Sequence, residues 1–314
     1  MKLLLLIMLS FTAVTSNAQT KESYYQKANE FEDKKDLENA LKQIDQAILL
    51  DPENAEYLLF RGNVLYHAKK FQPAFDTYTK IIELHPANVL ALNQRGLLLS
   101  AAQEFEYAIR DFDKALSIPG ADSFKLSLYV NRGAAKTSIR DFQGAYDDYM
   151  EAYKIGSMEI GTLNNLATVC DEVGKGDQTL KYLYKILAID STFIGAYGNI
   201  GFKYQEMGDH KKAIRFFDKV ISLDAKEPLA YSNRSFNRYK LGDYKGALSD
   251  VEKSIELYPA NSYAFKNRAL IYIALKKMKE ACADLQTASE LGFTKMYGDE
   301  VDTLRSKHCS LKRK

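Results

Sequence analysis

A fixed step of 34 residues constrains this chain more than any other feature. Pro52 and Pro86 stand 34 apart, and Asn131, Asn165, Asn199, Asn233 and Asn267 follow one another at the same step. A period of that length, built from two short helices, makes a solenoid in which each repeat buries its apolar face against its neighbours.

The windows superpose in register. Small residues recur near the start of each: Ala28, Gly62, Gly96, Gly133, Ala167, Gly201, Ser235 and Ala269. Twelve residues on come Ala40, Ala74, Ala108, Ala145, Thr179, Ala213, Ala247 and Ala281, where two helices cross closely and only Thr179 departs from alanine. Four further on lies a large slot, held by Ile44, Tyr78, Phe112, Tyr149, Leu183, Phe217, Val251 and Leu285, and three beyond that another apolar or small residue. The i, i+4, i+7 spacing marks one apolar helix face. Polar turns such as Gly208-Asp209 and Gly242-Asp243 suit the close of one helix and the capping of the next.

This small, large and proline pattern resembles the tetratricopeptide repeat, and repeat seven (231–259, with Leu241-Gly242-Asp243-Tyr244 at its turn) is close to the family pattern. The resemblance implies an all-α, right-handed superhelical solenoid of about eight helix-turn-helix repeats over 19–292. The repeats lie near 21–54, 55–88, 89–122, 126–159, 160–193, 194–227, 228–261 and 262–292, with a C-terminal capping helix and basic tail over 293–314. No repeat carries the family's tryptophan. A three-residue insertion at Pro119 to Ser123 separates Gly96 from Gly133 by 37 and is expected to alter the superhelix locally.

At the start, Met1-Lys2 precedes an uncharged, mostly apolar stretch over 3–14 and then Thr15-Ser16-Asn17-Ala18. This is the pattern of a secretory signal peptide over 1–18, cleaved before Gln19. Its apolar run is shorter than the roughly 20 residues a span needs. The mature protein is expected in a periplasm or secreted, without a membrane span after signal cleavage, and the resemblance implies a bacterial source. A formal net charge of +2 with 27% charged residues gives no reason to expect a nucleic-acid partner. Of the three cysteines, Cys170 falls at an inward site of a first helix and is expected as a buried free thiol. Cys282 and Cys309 are a candidate disulfide that would pin an amphipathic segment over 299–308 as a cap; thiol counts of one or three distinguish the two states.

A second regularity concerns charge. Arg95, Arg132, Arg234 and Arg268 share one site on the first helix, and Asp111, Asp148, Asp250 and Asp284 follow each by 16 residues. Repeats one, five and six lack both partners, with Lys27 and Gln43, with Leu166 and Tyr182 and with Ile200 and Phe216. In repeat two Arg61 meets Thr77, beside which Asp76 is a substitute. These are read as structural ion pairs joining the two helices of one repeat.

No catalytic residue, metal site, cofactor or small-molecule substrate is expected. The four histidines have no ligand spacing, and Gly174-Lys175-Gly176 lacks the strand and flanking glycine of a phosphate loop. In the family the first helix of each repeat lines a concave groove, which implies a peptide-binding row of Asn131, Asn165, Asn199, Asn233 and Asn267. Phe202, Phe236, Tyr239, Tyr263 and Lys266 stand beside it. Carboxamides suit an extended peptide backbone. Two alternatives stay open: asparagine as a solvated choice, and rings packed on neighbouring helices. The family's carboxylate clamp is not completed, because Gly198, Phe202, Tyr263 and Asn267 stand where it needs other residues. The expected function is a non-enzymatic protein-protein interaction scaffold in the cell envelope. It would bind an extended peptide or partner segment in its concave groove. The alternative is a structural adaptor or self-assembling spacer that docks folded partners by its convex face or ends.

Overall fold

The computed structural model describes residues 20–309; the expected signal sequence and residues 310–314 of the tail lie outside them. All regular structure among the described residues is helical and comes in repeating pairs. The chain divides after Asp141 into two compact units. The first holds α1 (Lys21–Asp33), α2 (Leu37–Leu50), α3 (Ala55–His67), α4 (Phe71–Leu84), α5 (Val89–Ala101), α6 (Phe105–Ser117) and α7 (Lys125–Ser138). The second holds α8 (Phe142–Ile155), α9 (Ile160–Val169), α10 (Gly176–Ile189), α11 (Ile194–Glu206), α12 (His210–Leu223), α13 (Pro228–Lys240), α14 (Tyr244–Leu257), α15 (Ser262–Ala274), α16 (Met278–Glu290), α17 (Phe293–Tyr297) and α18 (Glu300–His308).

Helix boundaries follow from local chemistry. Asp36, Asn54, Asn88, Asp209, Asp243 and Asn261 each accept a backbone N–H in the first turn of the helix they precede. Between the helices of a pair the chain turns through one left-handed residue, at Lys35, Lys69, Gln103, Arg140, Gly174, Gly208, Gly242 and Lys276. Five of these eight are not glycine, which is why only some of the turns stand out in the sequence. The insertion forms a 3-10 turn at Ala121–Phe124, entered through Gly120 in the left-handed region, with Ala121 buried.

Within each unit the core is the small-against-large fit. Tyr78 and Phe112 are buried against Gly62 and Gly96 in the first unit, and Phe217 against Gly201 in the second. Thr179 is buried where the other repeats hold alanine, and its hydroxyl donates to Asp171 Oδ2 at 3.4 Å.

The second unit ends in a cover outside the repeat period. Phe293 and Val301 are buried with Ala269, Leu285 and Ala288. Cys282 in α16 is bridged to Cys309 just after α18. Arg305 Nη1 adds a bond to Ser289 Oγ at 3.3 Å. Cys170 is a buried free thiol, its pKa pushed up to about 11 by burial.

Candidate functional site

The first helices of repeats five to seven, α9, α11 and α13, leave two adjoining clefts in the second unit. One, of about 260 Å³, lies between α9 and α11 over Thr179 and Leu183 of α10. The other, of about 300 Å³, lies between α11 and α13 over Phe217 and Val220 of α12. Asn199 and Phe202 line both and form the ridge between them. Phe202 is 46% exposed and Leu229, across the second cleft, 52%. The exposed Asn199 carboxamide has no hydrogen bond among the described residues, so its donors and acceptor are free for a ligand.

Two glycines make the second cleft wide. Gly195 and Gly198 line it, and a Cβ on Gly198 would meet nothing within 4 Å. The same stations two repeats on hold Tyr263 and Lys266. The rim of the first cleft is charged: Lys203 Nζ is held by Asp171 Oδ1 and lies 3.3 Å from Glu206 Oε2. Burial works against that ammonium, but the two carboxylates hold its pKa above the ordinary lysine value.

The remaining groove candidates are placed differently. Lys266 and Asn267 are buried and are withdrawn from a solvent-facing row. Asn267 Nδ2 donates to the Ser232 carbonyl at 3.1 Å and so ties α15 to α13. Lys266 Nζ sits 3.2 Å from Glu300 Oε2, with the Tyr263 and Phe236 rings centred 4.4 and 5.3 Å away. The cause is the cover, since α17 and α18 fold over this part of repeat eight. Tyr263 stacks on Phe293 at 6.2 Å, and Tyr239 packs on Tyr244 at 6.1 Å, so these rings face protein. Phe236 and Asn233 are half-buried, as is Asn165. In the first unit Asn131 Nδ2 donates to Asn93 Oδ1 at 2.9 Å, tying α7 to α5. The open part of the row in the second unit is therefore centred on Asn199, Phe202 and Asn233.

The arginines do more than join the helices of one repeat. Asp111, Asp250 and Asp284 each accept two bonds from Arg95, Arg234 and Arg268 at 2.6–2.8 Å. Arg234 also donates to Asp218 at 2.7 Å, on the preceding repeat's second helix. Arg61 does the same with Asp45 at 2.8 Å besides bonding Thr77, while Asp76 accepts from Gln72 and is not its substitute partner. Arg132 bonds Asp113 at 2.6 Å, and Asp148 is buried. The stations that precede the first-helix site by 16 residues in repeats five and six hold Met150 and Tyr184. Both acceptor stations and the arginine station thus turn apolar together. The sequence signal was present, but it runs backwards across a repeat boundary.

Among the described residues no cluster of His, Cys, Asp and Glu has metal-binding geometry, and no helix is long and apolar enough to cross a membrane.

Models of the tetratricopeptide repeat match residues 25–89 and 194–227, the second covering α11 and α12 of the cleft. Among solved structures, YrrB, described as a TPR protein with an unusual peptide-binding site, is 23% identical, covering 60% of this chain and 95% of its own, with a TM-score of 0.50. The C-terminal part of a TPR repeat-containing protein from Cytophaga hutchinsonii is 17% identical, with coverages of 74% and 95% and a TM-score of 0.59. The APC/C hetero-tetramer Cut9-Hcn1 is 14% identical, with coverages of 84% and 52% and a TM-score of 0.58. No curated protein matches the sequence. The chain carries tetratricopeptide repeats, and these likenesses show its fold.

Proposed function

We propose that this chain is a non-catalytic scaffold of the cell envelope that holds an extended peptide segment of a partner protein across the clefts of repeats five to seven. The observation that carries the reading is Asn199, an exposed and unbonded carboxamide on the ridge between two clefts, the second of them floored by Phe217 and Val220. An extended peptide has unpaired backbone groups on both edges, which such a side chain can both donate to and accept from. Phe202 and Leu229 offer apolar surface to its side chains, and the glycines leave room for them. Preformed helices lose little entropy on meeting the segment, so several weak contacts add up. The likeness to YrrB is in keeping with this use of the fold. The envelope location rests on the pattern of residues 1–18 and is in keeping with the Cys282–Cys309 bridge, because disulfides persist in oxidising compartments.

The test is Gly198→Leu, which fills the cleft without meeting a neighbour at its Cβ. Envelope proteins captured by the native chain are compared with those captured by the variant, after circular dichroism has shown equal helicity. A photo-cross-linking residue at Phe202 maps the contact. Loss of a partner that cross-links at Phe202 is expected. A partner retained by Gly198→Leu, or one that never cross-links there, overturns the reading.

A further inference from the structure

Repeats five and six differ from their neighbours in charge as well as in their missing arginines. The second helices on either side are net acidic: α8 by two charges, α14 by one and α16 by two. By contrast α10 carries Lys181 and Lys185 against Asp177, and α12 carries Lys211, Lys212, Arg215 and Lys219 against Asp218. The one acid on α12 is already bonded to Arg234. Of the six cations, only Lys212 has a carboxylate partner among the described residues, at Asp209.

Their spacing gathers them. Lys181 and Lys185 are one turn apart on α10, and Lys211, Arg215 and Lys219 run at four-residue steps along α12. Aromatic rings lie between. Tyr184 of α10 is 43% exposed, packs on Phe216 of α12 at 6.3 Å, and shares a 3.1 Å hydroxyl contact with Tyr204. Lys212 stands 4.9 Å over Tyr204, and Lys219 5.8 Å over Tyr197. The seam that elsewhere neutralises itself with arginine and aspartate is here apolar at its centre and cationic at its margins.

We propose that the exposed face of α10 and α12 is a docking surface for an acidic polypeptide segment carrying a large apolar or aromatic side chain. The rings take the apolar side chain, and Lys181, Lys211, Arg215 and Lys219 take the carboxylates, Lys185 Nζ being already bonded to the Tyr153 hydroxyl. Size selects this partner over an extended polyanion. The patch is two helices wide, roughly 20 Å at ordinary helix spacing. Acidic α8 and α14 border it, so a nucleic acid or an anionic membrane reaching past it meets repulsion. The surface lies on the second helices with Tyr197 and Tyr204 of α11 beneath it, and it shares no lining residue with the clefts.

The probe is a short fluorescent peptide of alternating glutamate and leucine with one central phenylalanine, titrated into the full chain by anisotropy. Its affinity is expected to fall with added salt, and by about tenfold or more in the triple variant Lys181→Glu, Lys211→Glu, Lys219→Glu. The charge-matched control Lys245→Glu, Lys253→Glu, Lys279→Glu and the cleft variant Gly198→Leu should leave it unchanged. Tyr184→Ser should weaken it several-fold without changing the salt slope. Equal losses in patch and control triples overturn the proposal, as does undiminished binding by Tyr184→Ser. So does tighter binding to duplex DNA or phosphatidylglycerol vesicles than to the peptide.

Discussion

Gly62 and Tyr78 are fitted so closely that a Cβ on the glycine would stand 2.5 Å from the tyrosine Cε1. The ring cannot yield easily, being buried with its hydroxyl donating to Asn63 Oδ1 at 2.8 Å. Gly62→Ala should therefore cost about 1–3 kcal/mol from overpacking, against the smaller gain in helix propensity. Gly198→Ala, with open space at its Cβ, should instead gain about 0.5–1 kcal/mol. Urea midpoints of the two variants check both signs, and a stabilised Gly62→Ala would show that the ring moves aside at little cost.

Asp250 serves two cations. Arg234 bonds both its oxygens, and Arg238 Nη1 lies 2.9 Å from Oδ2. Asp250→Ala leaves both guanidiniums short of a partner, although Arg234 keeps Asp218. A loss of about 2–3 kcal/mol is expected, read as a lower urea midpoint with unchanged slope. A variant as stable as the native chain would mean that Asp218 suffices.

Lys266 gives a pH dependence opposite in sign to that of an ordinary surface lysine. Burial lowers its pKa below the usual 10.5, and the Glu300 carboxylate offsets only part of that. The unfolded chain holds the proton up to 10.5, whereas the folded chain releases it earlier. The cost of the buried charge is thus complete below the folded pKa and disappears as pH rises from there towards the unfolded one. Lys266→Met should be between neutral and about 2 kcal/mol more stable at pH 7, because the Glu300 it leaves behind is half-exposed. That advantage should shrink as pH rises towards 10.5. A gap that stays constant with pH would refute the burial argument.

The bridge between Cys282 and Cys309 closes a loop of 27 residues. Cys309→Ser should lower stability by about 3–4 kcal/mol on the chain-entropy account. It should also uncover Lys266, measured as faster amine labelling at that residue. Thiol counting on denatured, unreduced native protein should find Cys170 alone. Unchanged labelling of Lys266 would mean that packing of Phe293 and Val301 holds the cover by itself.

The helix pairs and their small-against-large fit were legible because they repeat, and a repeated constraint shows itself in a single sequence. An arginine's partner 16 residues ahead lies inside one repeat and is equally visible. Three things were hidden. Asp45, Asp113 and Asp218 bond an arginine of the following repeat, across a boundary that the register itself draws. Lys266 and Asn267 hold groove stations, yet are buried, Lys266 against Glu300 of α18 and Asn267 against α13; the cysteine pair marked a cap over 299–308 but not the stations it would cover. The wide cleft arises from an absence of side chain at Gly195 and Gly198, which reads as weak helix until it is set beside Tyr263 and Lys266 at the same stations.

Sharing one arginine between two neighbours also fixes the order in which these modules can be strung together. Arg234 finds Asp218 only because repeat six comes before it. Were the 34 residues of repeat six excised, the station facing Arg234 from behind would be filled by Tyr184, a phenol in place of a carboxylate. Repeats one, three and six thus carry half of a lock for the repeat that follows, and a chain shuffled or shortened by whole periods there would keep its helices and lose its keying.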